Sequence, residues 1–216
     1  MIIGARQIFT GKRLPYDAEV EYLESTGSDT YILVPIDWRE LTRVEVTWQR
    51  VDRNTMYILG ARAVNINVYQ EALYQGRNND NLSNIQFYIS RSIVGLPWIS
   101  GENVQMRVET AVIDLQTNTL SADGNVKDFP AYQHYNNPIM ALFGIVTSAG
   151  TEMYYSSPGR IMSFKAESAN GMVRGLQPVR FTNELGVSEG AMYDKVSKQL
   201  FRNQGTGDFV IGPDKN

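Results

Sequence analysis

The chain has 216 residues, 43% of them apolar, a formal charge of −3 and no cysteine. That length and apolar content suit one domain around a single core, and a mildly acidic chain has no electrostatic basis for holding nucleic-acid phosphates, which call for clustered Lys and Arg. The missing thiols exclude disulfide frameworks, zinc fingers and thiol catalysis.

Residues 1–15 form a mixed basic and apolar arm, with Ile2, Ile3, Ile8 and Phe9 among Arg6, Lys12 and Arg13. It reads either as a segment that docks on a neighbouring subunit or larger assembly, or as a terminus that frays or pairs at an edge. It lacks the roughly 7–15-residue apolar stretch of a secretory signal. No window reaches the ~18 apolar residues of a membrane span, so the chain is expected to start in the cytoplasm and not to insert into a bilayer.

Residues 16–27 read as an opening strand carrying Glu19, Glu21 and Glu24. The run 43–48 alternates, with Val44, Val46 and Trp48 on one face and Arg43, Glu45 and Thr47 on the other, the pattern of a strand with one wet face. The same rhythm at 104–109 sets Val104, Met106 and Val108 opposite Gln105, Arg107 and Glu109. Further strands are expected at 56–61, 63–69, 85–89, 111–115, 119–122 and 139–146, with hairpin turns at Gln116-Thr117-Asn118 and Asp123-Gly124. No helix longer than a turn or two, no repeat and no heptad is present. About a dozen short strands at this spacing predict an all-β, double-sheet sandwich.

Three loops carry side chains suited to binding. The first, 76–84, includes Asn78, Asn79, Asp80 and Asn81, whose amide and carboxylate groups could meet sugar hydroxyls; the same residue types also serve their own backbone in ordinary loops. As a calcium loop it is poor, since Asp80 is its one carboxylate and hard cations gather several. The second, 95–101, holds Trp98 between Pro97 and the glycines at 95 and 101, where an exposed indole would stack on a pyranose ring and a buried one would cap the core beside Leu96 and Ile99. The third, 131–138, contributes Tyr132 and Tyr135 and the one histidine, His134, which has no carboxylate in its segment to make it a catalyst.

The final third is a string of short β segments joined by turn chemistry at Asn170-Gly171, Gly186, Gly190 and the loop from Gly205 to Asp208. The strand over 161–166, the run Leu176-Gln177-Pro178-Val179-Arg180, the segment 192–197 around Tyr193-Asp194, and 200–203 with 205–209 resemble the C-terminal strands of concanavalin A-like (laminin G-like) jelly-roll modules. Such modules occur in gut bacterial surface proteins and in the virion proteins of their phages. Residues 16–27 resemble the opening strand of the same modules, so the resemblance spans 16–214 and implies a two-sheet antiparallel jelly roll over 16–216 whose two ends pair in one sheet. Within it, Tyr193 and Asp194 are expected to form a structural corner, the tyrosine packed and the carboxylate tying the turn.

The resemblance implies a non-enzymatic virion structural or adhesion subunit, made in the host cytoplasm and released by lysis, that self-associates or joins other virion proteins and engages host or mucosal glycans. The alternative is a lectin domain of a bacterial cell surface. No cofactor is implied. Jelly-roll glycosidases similar to laminarinases carry a strand motif of alternating Glu and Asp, and alternation would put Glu19 and Glu21 on one face near the ~5–5.5 Å separation of a retaining pair. Here the central acid is Glu rather than Asp and the motif falls on the opening strand, so a wet strand face accounts for it. No G-x-S-x-G elbow, phosphate loop, dinucleotide fingerprint or HExxH is present.

Overall fold

The computed structural model describes residues 14–27, 30–52, 54–62, 70–79, 82–90, 92–97, 99–100, 107–131, 139–147 and 153–215. In chain order the strands are β1 (Ala18–Glu19), β2 (Leu23–Ser25), β3 (Ile32–Pro35), β4 (Leu41–Gln49), β5 (Met56–Arg62), β6 (Gln70–Asn79), β7 (Leu82–Ser90), β8 (Ser92–Gly95), β9 (Ile99–Ser100) and β10 (Val108–Asp114). They continue as β11 (Thr119–Ala122), β12 (Asn125–Asp128), β13 (Ile139–Leu142), β14 (Gly144–Thr147), β15 (Met153–Ser156), β16 (Gly159–Ser168), β17 (Gly171–Thr182), β18 (Ser188–Asp194), β19 (Leu200–Arg202) and β20 (Val210–Ile211). Among the described residues the one helical element is a 3-10 turn, Trp38–Glu40, capped by the Asp37 carboxylate accepting from Arg39 N.

Two sheets face each other. The front sheet runs β12-β11-β10-β4-β16-β17-β18-β19, with β1 added to β17 and β2 joining β16 to β20. The back sheet runs β15-β14-β5-β6-β7-β8, with β13 between β3 and β5 and with β9 on β7. Pairing among the described strands is antiparallel apart from β14 on β5. Both ends of the jelly roll meet in the front sheet: Leu23 pairs with Ile211, Glu24 with Val210 and Val20 with Asp214. The all-β, two-sheet jelly-roll architecture expected from the sequence is the one observed.

Period-2 patterning decides which face goes inward. On β4, Val44, Val46 and Trp48 are buried, while Glu45 turns out to Lys165 at 2.7 Å and Thr47 to Thr110 at 2.9 Å. The Trp48 indole cannot leave its N–H unpaired in the core, and it donates to Gln75 Oε1 on β6 at 2.9 Å, a polar link from one sheet to the other. Around it the core closes with Trp38, Phe87, Phe143 and Phe164, all fully buried. Phe87 lies 5.9 Å from Trp38 and 5.7 Å from Phe129 between ring centroids. The β11–β12 turn has both central residues left-handed, Asp123 at φ 51° and Gly124 at φ 74°, the geometry that matches the twist of the strands it joins.

Three expectations need correction. On β10 the inward set is Glu109, Ala111 and Ile113, because these oppose Trp48, Val46 and Val44 of β4; Val108 is 53% exposed and Glu109 buried, the reverse of the face read from the sequence. The Glu109 carboxylate is met by Arg107 at 2.5 Å. The run 139–146 is not one strand: Phe143 is left-handed at φ 67°, so β13 pairs antiparallel with β5 while β14 pairs parallel with it. The expected loop 76–84 is a hairpin end, with Gly76 paired to Asn84, Arg77 to Ser83 and Asn79 to Leu82. Its polarity came from strand residues as well as from the turn. The strand expected at 63–69 lies outside the described residues.

Candidate functional site

Of the residues expected to bind glycan, Asp80, Asn81, Trp98, Tyr132 and Tyr135 lie outside the described residues, as do His134 and the arm over 1–13. Asn78 and Asn79 belong to β6, at the tip of the β6–β7 hairpin. The described residues contain no group of three or more His, Cys, Asp or Glu that could hold a metal ion. No helix among them is long and apolar enough to cross a membrane.

The same hairpin carries a constellation the sequence reading did not single out. Strand register aligns Tyr57 of β5 with Tyr74 of β6, Tyr74 with Gln86 of β7, and Gln86 with Gly95 of β8. The next row is Gly60, Ala72, Tyr88 and Ile93. Leu73, Ile85, Phe87 and Val94 of the same strands belong to the core, so alternation turns Tyr74, Gln86 and Tyr88 to the outer face of the back sheet. There the three tyrosines stand as a stack, Tyr57 to Tyr74 at 5.6 Å and Tyr74 to Tyr88 at 5.0 Å between centroids.

Tyr74 is stacked on Tyr88 at 25° and tilted against Tyr57 at 35°, so the row offers ring edges and hydroxyls more than a flat platform. Tyr74, in the middle, is 8% exposed; Tyr57 and Tyr88 at the ends are half-buried. Burial pushes the Tyr74 phenol well above its ordinary value, helped by the hydrogen bond with Tyr88 and by the neighbouring Tyr88 and Tyr57 hydroxyls, so Tyr74 keeps a neutral O–H. Beside it Gln86 Nε2 donates to Asn84 Oδ1 at 2.7 Å. The carboxamides fit only because their neighbours lack side chains. A Cβ on Gly76 would stand 2.8 Å from Asn84 Oδ1, and one on Gly95 3.2 Å from Asn84 Nδ2. Ile93, 52% exposed, adds an apolar flank next to Tyr88. These residues together offer hydroxyl and amide donors and acceptors beside an apolar edge, the mixture a polyhydroxylated ring requires, and none of them is charged.

The acidic run of the opening strand is dispersed. β1 pairs with β17 and ends at Glu19, Val20 bridges to Asp214, the Glu21 N–H donates to Pro213 O, and pairing with β16 begins at β2. Glu19 accepts from the Tyr16 hydroxyl at 3.2 Å, Glu24 pairs with Arg160 at 2.6 Å, and Glu21 is exposed. Glu19 and Glu21 flank the buried Val20 in its antiparallel bridge to Asp214, so alternation leaves them on one face, where Glu19 is tied to Tyr16 and Glu21 is exposed.

The corner at Tyr193-Asp194 is built as its residue types suggested. The Tyr193 ring packs 4.9 Å from Tyr16, in a small cluster with Val179, Phe181 and Ala191 on the outer face of the front sheet. Asp194, fully buried, accepts from Gly175 N, Val196 N, Ser197 N and Ser197 Oγ at 2.7 to 3.1 Å. Burial opposes its ionisation, and the donors outweigh that, holding the carboxyl below the usual range.

No family model matches the chain, and no curated protein matches it. Among solved structures it is similar to the CBM40 module of the Ruminococcus gnavus IT-sialidase bound to alpha2,3 sialyllactose, at 15% identity and a TM-score of 0.45, covering 65% of this chain and 88% of that one. The same module bound to alpha2,6 sialyllactose matches at 14% and 0.41, over 67% and 89% of the two chains. The heptameric SAP-like pentraxin from Limulus polyphemus matches at 17% and 0.41, over 72% of each. Likenesses this distant carry no ligand, activity or residue role to this chain.

Proposed function

We propose that the chain is a non-enzymatic, lectin-like carbohydrate-binding module whose site is the tyrosine face of the back sheet, and that it serves as a structural or adhesion subunit of a virion. The observation that carries the binding reading is the uncharged row of Tyr57, Tyr74, Tyr88, Gln86 and Asn84 on an outward sheet face, which suits a neutral glycan. Asn78 and Asn79 lie on β6, in the hairpin that bears four of those side chains, so they can extend the site along the strands. The test is a glycan array, followed by calorimetric titration of Gln86→Ala and Tyr88→Ala. Binding should be lost in both while the melting midpoint of Gln86→Ala stays near that of the parent. Undiminished binding in both variants removes this face from the function, and hydrolysis of a β-glucan panel that disappears in Glu19→Gln would make the chain an enzyme.

The virion assignment rests on the resemblance of residues 161–166, 176–180, 192–197, 200–203 and 205–209 to modules that occur in gut phage virion proteins and equally in gut bacterial surface proteins. A virion subunit should form a defined homo-oligomer in light scattering or co-purify with capsid or tail proteins. A monomer that binds glycan and no virion protein would instead favour a bacterial cell-surface lectin.

A further inference from the structure

The outer face of the front sheet carries a cleft of about 210 Å³ between β16, β17 and the corner that follows β18. Met162, Met172 and Gly175 line it together with Lys165, Lys195 and Lys215. A chain with a formal charge of −3 places three lysines along one cleft, Lys165 with its ammonium on Glu45. Each is anchored through its own stretch of backbone. Lys165 sits directly opposite Gly175 in the β16–β17 ladder. The Lys195 N–H donates to Gly175 O at 2.9 Å, while Gly175 N donates to the buried Asp194 carboxylate. The Lys215 N–H donates to Glu19 O at 2.8 Å.

The nearby acids do not use up this charge. Glu45 takes Lys165 at 2.7 Å, but it also binds Arg43 at 3.0 Å. Glu19 feels Lys195 and Lys215, yet its carboxylate is hydrogen-bonded to Tyr16 and Gln177, and among the described residues neither lysine forms an ion pair. Polarisable thioethers beside lysine side chains suit a ring with an apolar face and a carboxylate.

We propose that this cleft is a second binding site that holds the carboxylate of an acidic sugar of the uronic-acid class, with Lys195 and Lys215 on the carboxylate and Met162 and Met172 beneath the ring. It lies on the opposite sheet from the tyrosine face and stands independently of that site. The test is an amide-resolved NMR titration of the whole chain with glucuronate, and with glucose as the uncharged counterpart. Glucuronate should shift Gly175, Lys195 and their neighbours saturably, and glucose should leave them unmoved. The double variant Lys195→Gln, Lys215→Gln, which alters exposed side chains only, should weaken glucuronate by about tenfold or more, as should high salt. Equal response to glucose, unchanged affinity in the double variant, or shifts confined to the tyrosine face would each overturn the assignment.

Discussion

Replacing Asp194 by Asn tests whether one buried carboxylate holds the β17–β18 corner. Its Oδ1 accepts from Gly175 N at 2.9 Å and Val196 N at 3.0 Å, and its Oδ2 from Ser197 N at 3.1 Å and Ser197 Oγ at 2.7 Å. In Asp194→Asn one of these atoms becomes an NH2 group; placed at Oδ2 it faces the Ser197 N–H donor to donor, and only the hydroxyl can turn to accept. Hydrogen bonds to a charged group contribute about 1.5–3 kcal/mol each, so losing the charge and one bond outright should cost about 2–4 kcal/mol. At this chain length that lowers the melting midpoint by roughly 5–15 °C. The pH dependence adds a second readout. The carboxyl is held below its unfolded value, so its stabilisation is complete above about pH 4 and is lost as pH falls through the folded value. The gap between parent and variant, measured by urea unfolding across pH, should be widest near neutrality and narrow in acid. A variant within about 0.5 kcal/mol of the parent at neutral pH, or a gap that stays constant into acid, would refute the role given to Asp194.

Gln75→Leu should cost about 1–3 kcal/mol in urea unfolding, because the buried Trp48 N–H loses its acceptor. Gly159→Ala puts a methyl group 2.3 Å from Met56 Sδ at φ 156° and should cost about 1–3 kcal/mol; combined with Met56→Ala the two penalties should sum to less than their separate values, and strict additivity would show that the clash is absorbed elsewhere. Tyr74 should remain un-ionised in an ultraviolet titration up to the point of alkaline unfolding; a phenol that ionises while the fold persists and is missing in Tyr74→Phe would refute its burial.

The elements readable in the sequence were those with one wet face or a defined turn. Val44, Val46 and Trp48 sit in plain alternation, and Asp123-Gly124 and Asn170-Gly171 have a chemistry that few conformations accept. The tyrosine stack was invisible for a physical reason. Tyr57, Tyr74 and Tyr88 lie on three strands whose register alone makes them neighbours, and on β5 the ladder slips between Tyr57 and Leu59, so alternation fails where it would have flagged the outward face. β5 also buries residues on both of its faces, which erases the polar half of the pattern. β10 misled in the opposite way. Glu109 reads as a solvent residue, and its inward position follows from pairing with β4 and from the guanidinium of Arg107. Asp194 was legible because a lone acid at a strand end before Lys195 and Ser197 has few other roles.

The pairing of Val20 with Asp214 and of β2 with β20 sets the order in which the molecule can be assembled. During synthesis the opening strand leaves the ribosome long before β20 exists, so the β2–β20 edge of the front sheet stays open after the path from β12 to β19 has been made. Until β20 emerges, β2 presents an unsatisfied backbone edge on that side, and closing it joins Leu23 to Ile211 across most of the fold, a costly loop closure. Folding should therefore be slow for a domain of this size, on the millisecond-to-second scale of non-local β topologies. Chains truncated before β20 should accumulate as aggregation-prone species rather than as a smaller stable sandwich.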